Sequence, residues 1–356
     1  MSTNSTVVTQ EQRKGTVNSI LQSSLVRELM GLIIMLALIM FVMSQLSDVF
    51  FTSRNINNLL LSTSTVGIIA VFTTMLMIGG GLDLSVASTA ALAGVVIGAL
   101  QESLGLPGAV VAGLLTATLV GFVNGFLVTY IGINSLITTL GMLSVARGLA
   151  FVFSDALTIP VFDLTGENTE MYARFTSISE GKVPLGFAEA PFPIFFTIIL
   201  FAVGIYVLRF TTYGRAMYSI GGNEEASRLA GLSVKRYRMM AFTLSGMSAG
   251  IAGIFLTSRL YAADPRAAPS VELTVITAVV LGGTSLAGGK GSLLGTLLGV
   301  LILSTLLNGL TLQSVSTEYQ NIAQGTVLLV AVLIDQIRLG TVNIGLGRLR
   351  QFIQRN

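Results

Sequence analysis

Long runs without a charged side chain constrain this chain more than any other feature. Leu29 to Ser47, Asn55 to Leu82, Leu84 to Gln101 and Ser103 to Ala146 carry none, and the pattern resumes after Ala190. About 20 apolar residues cross the hydrocarbon core of a bilayer as one helix. Composition agrees, since only 10% of the residues are charged, against about 25% in a soluble domain. That excludes a soluble enzyme, a nucleic-acid module and a disordered chain. The fold class is all-α, a polytopic helical membrane protein with about ten transmembrane helices.

The ten spans follow from the runs. Leu29 to Ser47 is the first, the region Leu59 to Ile78 the second and Leu84 to Gln101 the third. Ser103 to Ala146 fits two spans, with a break near Gly132-Ile133-Asn134. Ala190 to Leu208, Met239 to Ser258, Leu273 to Gly289, Gly291 to Thr311 and Tyr319 to Ile334 complete the set. Orientation follows from Lys and Arg in short loops, which stay on the cytoplasmic side. Residues 209–238 hold Arg209, Arg215, Arg228, Lys235, Arg236 and Arg238, and the C-terminal tail holds Arg338, Arg348, Arg350 and Arg355. The loop 155–189 has Arg174 and Lys182 against six acids. With both basic segments inside and the acidic loop outside, ten spans place both termini in the cytoplasm. The polar start of the chain, with Arg13 and Lys14, reads as an uncleaved tail because no short apolar segment with a cleavage site follows.

Missing residue types narrow the chemistry. The chain has no Cys, His or Trp, so zinc, haem, iron–sulfur and Ser-His-Asp chemistry lack their usual groups. No metal site or catalytic residue is expected, and no nucleic-acid partner. Tyr130, Tyr206, Tyr261 and Tyr319 take the interfacial role that Trp often fills. Lys290, in Ala287-Gly-Gly-Lys-Gly291, departs from the phosphate-binding loop: Thr284 stands where that loop needs Gly, and Gly291 where it needs Ser or Thr. It marks the inner end of the eighth span instead.

Three features are candidates for function. Ile78-Gly-Gly-Gly-Leu-Asp-Leu-Ser85 and Leu281-Gly-Gly-Thr-Ser-Leu-Ala-Gly-Gly289 form a weak internal repeat at the ends of spans. Such glycine-interrupted segments mark broken helices in transporters, and glycine equally serves close helix packing. Asp83 is the only acid between Arg54 and Glu102. It suits a helix cap at the aqueous interface, with a solute-facing role as the second reading. The third feature is the inner loop. Asn223 suits an N-cap, Glu224 and Glu225 favour the positive end of a helix dipole, and Gly231 suits a left-handed C-cap. Ala226, Leu229 and Ala230 make a small apolar stripe beside Arg228, and Ser233 is placed to cap the next helix. A capped helix of this kind fits a partner's groove, or serves as an interfacial connector.

At these motifs the chain resembles the ribose-type permease family of ATP-binding cassette (ABC) sugar importers. The matching pieces are Gly81-Leu-Asp-Leu-Ser-Val86, Ile137-Thr-Thr-Leu-Gly141 with Arg147-Gly148, Gly221-Gly-Asn-Glu-Glu225 with Ala230-Gly-Leu232, and Leu281 to Gly291 followed by Asn308-Gly309. They occur in family order over roughly Val49 to Ile337. The resemblance implies a single transmembrane permease domain over 29–334 between cytoplasmic tails 1–28 and 335–356, in the bacterial inner membrane. It implies two cytoplasmic ABC ATPase subunits, a periplasmic or lipid-anchored sugar-binding protein, and a permease homodimer or a pair with a homologous permease. ATP and Mg would be used by the ATPase, and no cofactor would be held by this chain. The coupling helix would comprise Asn223, Glu224, Glu225, Ala226, Arg228, Leu229, Ala230 and Gly231. Two departures stand out: Ala87-Ser88 where the family has Gly, and Val271-Glu272-Leu273-Thr274 where it reads Tyr-Glu-Leu-Asp.

The expected function is therefore import of a ribose-like monosaccharide, with no covalent chemistry in this chain. Asp83, Ser85, Thr274, Thr284, Ser285 and Asn308 are the pathway candidates. Import of a furanose signalling molecule is the alternative. An ion-coupled secondary transporter is the rival mechanism, although proton coupling usually shows as several acids or His within spans. A passive channel would need no ATPase.

Overall fold

A computed structural model describes residues 24–162, 168–184 and 189–338. The start of the N-terminal tail, part of the acidic loop, and Arg348, Arg350 and Arg355 lie outside the described residues. The elements run α1 (Ser24–Leu46), α2 (Ser53–Ile78), α3 (Val86–Phe126), α4 (Ser135–Phe153), β1 (Ile159–Pro160), α5 (Thr169–Glu180), β2 (Lys182–Pro184) and β3 (Glu189–Pro191). They continue as α6 (Phe192–Phe210), α7 (Thr212–Gly222), α8 (Glu224–Leu229), α9 (Val234–Leu260), β4 (Ala262–Ala263), α10 (Val271–Leu281), α11 (Leu293–Leu312) and α12 (Thr317–Arg338). Short polar residues open several of these helices by accepting a first-turn N–H, as Asn134 does from Leu136 at 2.9 Å.

Among the described residues, eight helices are long and apolar enough to cross a membrane. The protein is a polytopic helical membrane protein. One of the eight, α3, carries the third and fourth expected spans in a single run. It bends where Gly105 adopts φ 67° and ψ 159°, two residues before Pro107. A short π-helical turn, Leu127–Ile131, ends it at Gly132, whose φ of 88° supplies the expected break before α4.

The eighth expected span departs from a simple crossing. Its helix, α10, has 11 residues, or about 16 Å of rise, against a hydrocarbon core of about 30 Å. Gly283, Gly288 and Gly289 have φ of 90°, 85° and 72°, so the chain leaves the helix and continues as folded, non-helical backbone to α11. Such backbone is tolerated at membrane depth only where protein satisfies it. Here Ser285 N–H donates to Lys290 O at 3.1 Å, and Gly289 N–H donates to Ile78 O at 2.8 Å. The segment 79–85 between α2 and α3 is a second break of this kind, with Gly80 at φ 77°.

A third break, 261–270, lies at the other end of α9. There β4 pairs antiparallel with β1. Arg147 of α4 donates through Nη1 to Pro265 O at 2.6 Å and Ala267 O at 2.9 Å. Helix α4 thus touches two breaks, because Thr139 near its start also donates to Leu82 O at 3.5 Å.

Close backbone packing holds the centre. A Cβ on Gly121 of α3 would come 2.8 Å from Gly246 Cα of α9, so these helices approach as small-residue interfaces do in membranes. Around them Val66, Ile69, Val275, Val279, Val300 and Leu303 form one buried cluster. Asn55 of α2 and Asn308 of α11 exchange two amide hydrogen bonds of 3.0 and 2.9 Å. Tyr130, Tyr206, Tyr261 and Tyr319 are all exposed, as interfacial anchors require.

Candidate functional site

The loop 209–238 gathers basic residues at one end of the bundle, and α8 sits there. Asn223 Oδ1 accepts Ala226 N–H at 2.9 Å, so the N-cap forms as its sequence suggests. Gly231 has φ 85°, Leu232 N–H donates to Ser227 O and Gly231 N–H donates to Arg228 O. Those two bonds are a Schellman C-cap, which needs a left-handed residue where Gly231 stands. Glu225 pairs with Arg228 at 2.7 Å on the surface. Ser233 differs from expectation: it precedes α9, but its side chain makes no capping bond. Its carbonyl instead accepts Arg236 and Tyr237 N–H.

Leu229 is 79% exposed, although it lies outside the apolar spans on a short polar helix. Burying a leucine is worth about 1.5–3 kcal/mol, and within this chain Leu229 gains almost none of it. Ser227 faces the other way, buried, with its hydroxyl 2.8 Å from Ser219 of α7.

Beneath α8, α7 is fastened to both glycine-rich breaks. Its buried Met217 packs against Gly79, close enough that a Cβ there would meet the Met217 side chain. Tyr218 donates to Gly291 O at 2.9 Å, and burial holds its phenol above the ordinary value, so it stays a donor. At the end of α7, Gly221 leaves no room for any side chain, because Ile78 O and Gly289 N occupy the place of its Cβ. A Cβ on Gly288 would lie 3.1 Å from both Gly221 Cα and Gly80 Cα. The two glycine segments that resemble each other in sequence therefore meet in space, with the platform of α8 between them. No charge or hydropathy signal marks Gly221; only its place in the Gly-Gly-Asn-Glu-Glu motif singles it out.

The pathway candidates are dispersed. Asp83 is 2% exposed, so its carboxylate is enclosed by protein. It does accept a backbone N–H, from Ser85 at 2.9 Å, and also the Ser85 hydroxyl at 2.7 Å and the Ser245 hydroxyl at 2.9 Å. Asn124 completes the cluster by donating to Ser85 Oγ at 2.9 Å. Neither Ser245 nor Asn124 stood out in sequence, since each is one of several polar residues scattered along a largely apolar helix. Ser285 donates to Asp335 Oδ2 at 3.0 Å, whereas Thr284 is buried with no partner for its hydroxyl among the described residues. Thr274 is buried near the start of α10 and bonds Gln324 of α12 at 3.2 Å. Asn308 is engaged with Asn55. Only Asp83 and Ser85 of the six are joined by a side-chain hydrogen bond.

Residues 55–332 match the family described as the permease component of branched-chain amino acid transport systems. The ribose import permease protein RbsC of Haemophilus influenzae is 41% identical over 88% of this chain and 94% of its own. The L-arabinose ABC transporter permease protein AraH of Azospirillum brasilense is 40% identical over 86% and 87%. RbsC of Bacillus subtilis is 38% identical over 87% and 94%. No solved structure matches. With a family match across most of the chain and relatives of this identity over nearly their full lengths, the chain belongs to this family of ABC-type import permeases.

Proposed function

We propose that this chain is the membrane-spanning subunit of an ABC importer for a monosaccharide of the ribose or arabinose class. The observation that carries the reading is the near full-length identity, about 40%, to permeases named for those two pentoses. The capped α8 with its exposed Leu229 supports an ATPase docking role at the cytoplasmic end, where the positive-inside rule puts the basic loop. ATP hydrolysis takes place in the partner subunits, and a secreted binding protein delivers the sugar on the other side.

Two copies enclose the pathway. Helix α12 is the most polar of the candidate spans and only 11% of its apolar window is buried. Asn321 and Thr326 are exposed along it, which lipid disfavours and a water-filled path or second copy accommodates. Ser144 is exposed on α4, and Leu143 of α4 packs on the same core cluster as Val327, Leu328 and Val332 of α12. A second copy docked along α12 would cover these exposed polar residues. Closing of the ATPase pair would move α8 and, through the glycine junction, both breaks, a rigid-body switch between outward- and inward-open states.

The test is reconstitution in liposomes with a partner ATPase and sugar-binding protein. ATP-dependent accumulation of ribose or arabinose is expected. Uptake driven by an ion gradient through this chain alone would overturn the reading.

A further inference from the structure

A cavity of about 420 Å³ opens beside α8 between the end of α3, the start of α4 and the start of α9. Lys235, Arg238 and Glu224 bring charge to its wall, and Val128, Ile133 and Val234 line it with apolar surface. Two cations against one acid leave the wall positive. Arg238 uses Nη2 for both Glu224, at 2.8 Å, and Gly79 O, at 3.4 Å. Its Nε is buried and has no acceptor among the described residues. A buried, unspent guanidinium donor is costly to leave unmet. Lys235 has no acidic partner among the described residues, and its Nζ lies 5.4 Å from the centre of the Tyr130 ring.

What leads to the cavity identifies its ligand. Leu115, Leu119, Phe122, Phe126 and Tyr130 are all exposed on α3, at spacings that form one stripe along the helix. Phe126 and Tyr130 stack at its end, and Tyr130 meets Lys235 at the cavity. An apolar track ending in an aromatic ring and two cations has the order of an acyl chain followed by a phosphate. Basic pockets between helices on the cytoplasmic side take such headgroups.

We propose that the cavity binds the phosphate of an acidic phospholipid of the cytoplasmic leaflet, with Lys235 and the Arg238 guanidinium as donors and the α3 stripe under the acyl chains. The phosphate and Glu224 share one guanidinium, that of Arg238, so occupancy bears on the first residue of α8. The assembled importer is placed in nanodiscs of phosphatidylcholine with or without phosphatidylglycerol. Lipid retained by the protein is counted by native mass spectrometry, and ATP hydrolysis is followed in parallel. The wild type should retain phosphatidylglycerol preferentially. Lys235→Gln should lower that preference roughly tenfold, the scale of one charged hydrogen bond. Arg236→Gln, one step along α9 and outside the cavity, should retain it. Equal retention by wild type and Lys235→Gln, or equal loss in Arg236→Gln, would overturn the proposal. Displacement of the lipid by millimolar inorganic phosphate, with the same effect on hydrolysis, would assign the site to free phosphate and also overturn it. Retention is read without any sugar, so this result stands apart from the identity of the cargo.

Discussion

Truncating Leu229 to alanine separates docking from folding. The side chain is 79% exposed, so its removal leaves no cavity in this chain and costs its stability little. If the leucine is buried in a groove of the ATPase, the variant loses three carbons of buried apolar surface there. At about 0.8 kcal/mol per buried methylene, the loss is roughly 2 kcal/mol, or about 30-fold in affinity. Helix α8 itself should persist, because Asn223 and the Gly231 turn hold it from either end. Titration of the ATPase onto the permease in nanodiscs measures the affinity, and a melting curve in detergent checks the fold. An affinity within twofold of wild type, with an unchanged melting curve, would refute the assignment of α8 as the docking helix. A lowered melting temperature would show instead that Leu229 packs within the chain.

Gly221→Ala should lower stability by about 1–3 kcal/mol, the usual cost of overpacking, because Ile78 O and Gly289 N already fill the site. It should also reduce sugar carried per ATP hydrolysed; wild-type stability and stoichiometry together would sink the junction. Arg147→Gln removes two hydrogen bonds from a charged donor, worth about 1.5–3 kcal/mol each, and should loosen the break 261–270. Faster hydrogen exchange confined to that segment is the expected readout, and no change would mean that Arg147 does not hold it. Asp83→Ala leaves three donors without an acceptor, at about 1–3 kcal/mol each, so it should express far less folded protein than Asp83→Asn. Equal yields would remove the carboxylate from the framework.

The charge-free runs and the basic loop define a membrane protein and the end expected to lie in the cytoplasm without reference to any long-range contact. Hydropathy and charge act through the solvent each residue meets, and that choice is local. The ends of α8 are legible for the same reason, since Asn223 and Gly231 bond to backbone within a few residues. Ser233 shows the limit of that reading: its position is right for a cap, yet the carbonyl rather than the hydroxyl makes the bonds.

The tertiary structure alone decided how the polar and glycine residues are used. Composition cannot distinguish a complete crossing from α10 followed by folded backbone, because glycine-rich apolar sequence satisfies both until neighbours supply hydrogen bonds. Asp83 is equally ambiguous in sequence: Ser85 bonds one carboxylate oxygen locally, but the second is met by Ser245, on a helix far along the chain. Gly80, Gly221 and Gly288 come from three separate segments that converge: Gly221 Cα and Gly80 Cα both crowd the place of a Cβ on Gly288, and Ile78 O and Gly289 N fill that of Gly221. Sequence thus determined the solvent and the local caps of this protein. Long-range packing, which no nearby residue encodes, determined that its two glycine breaks and helix α7 form one junction.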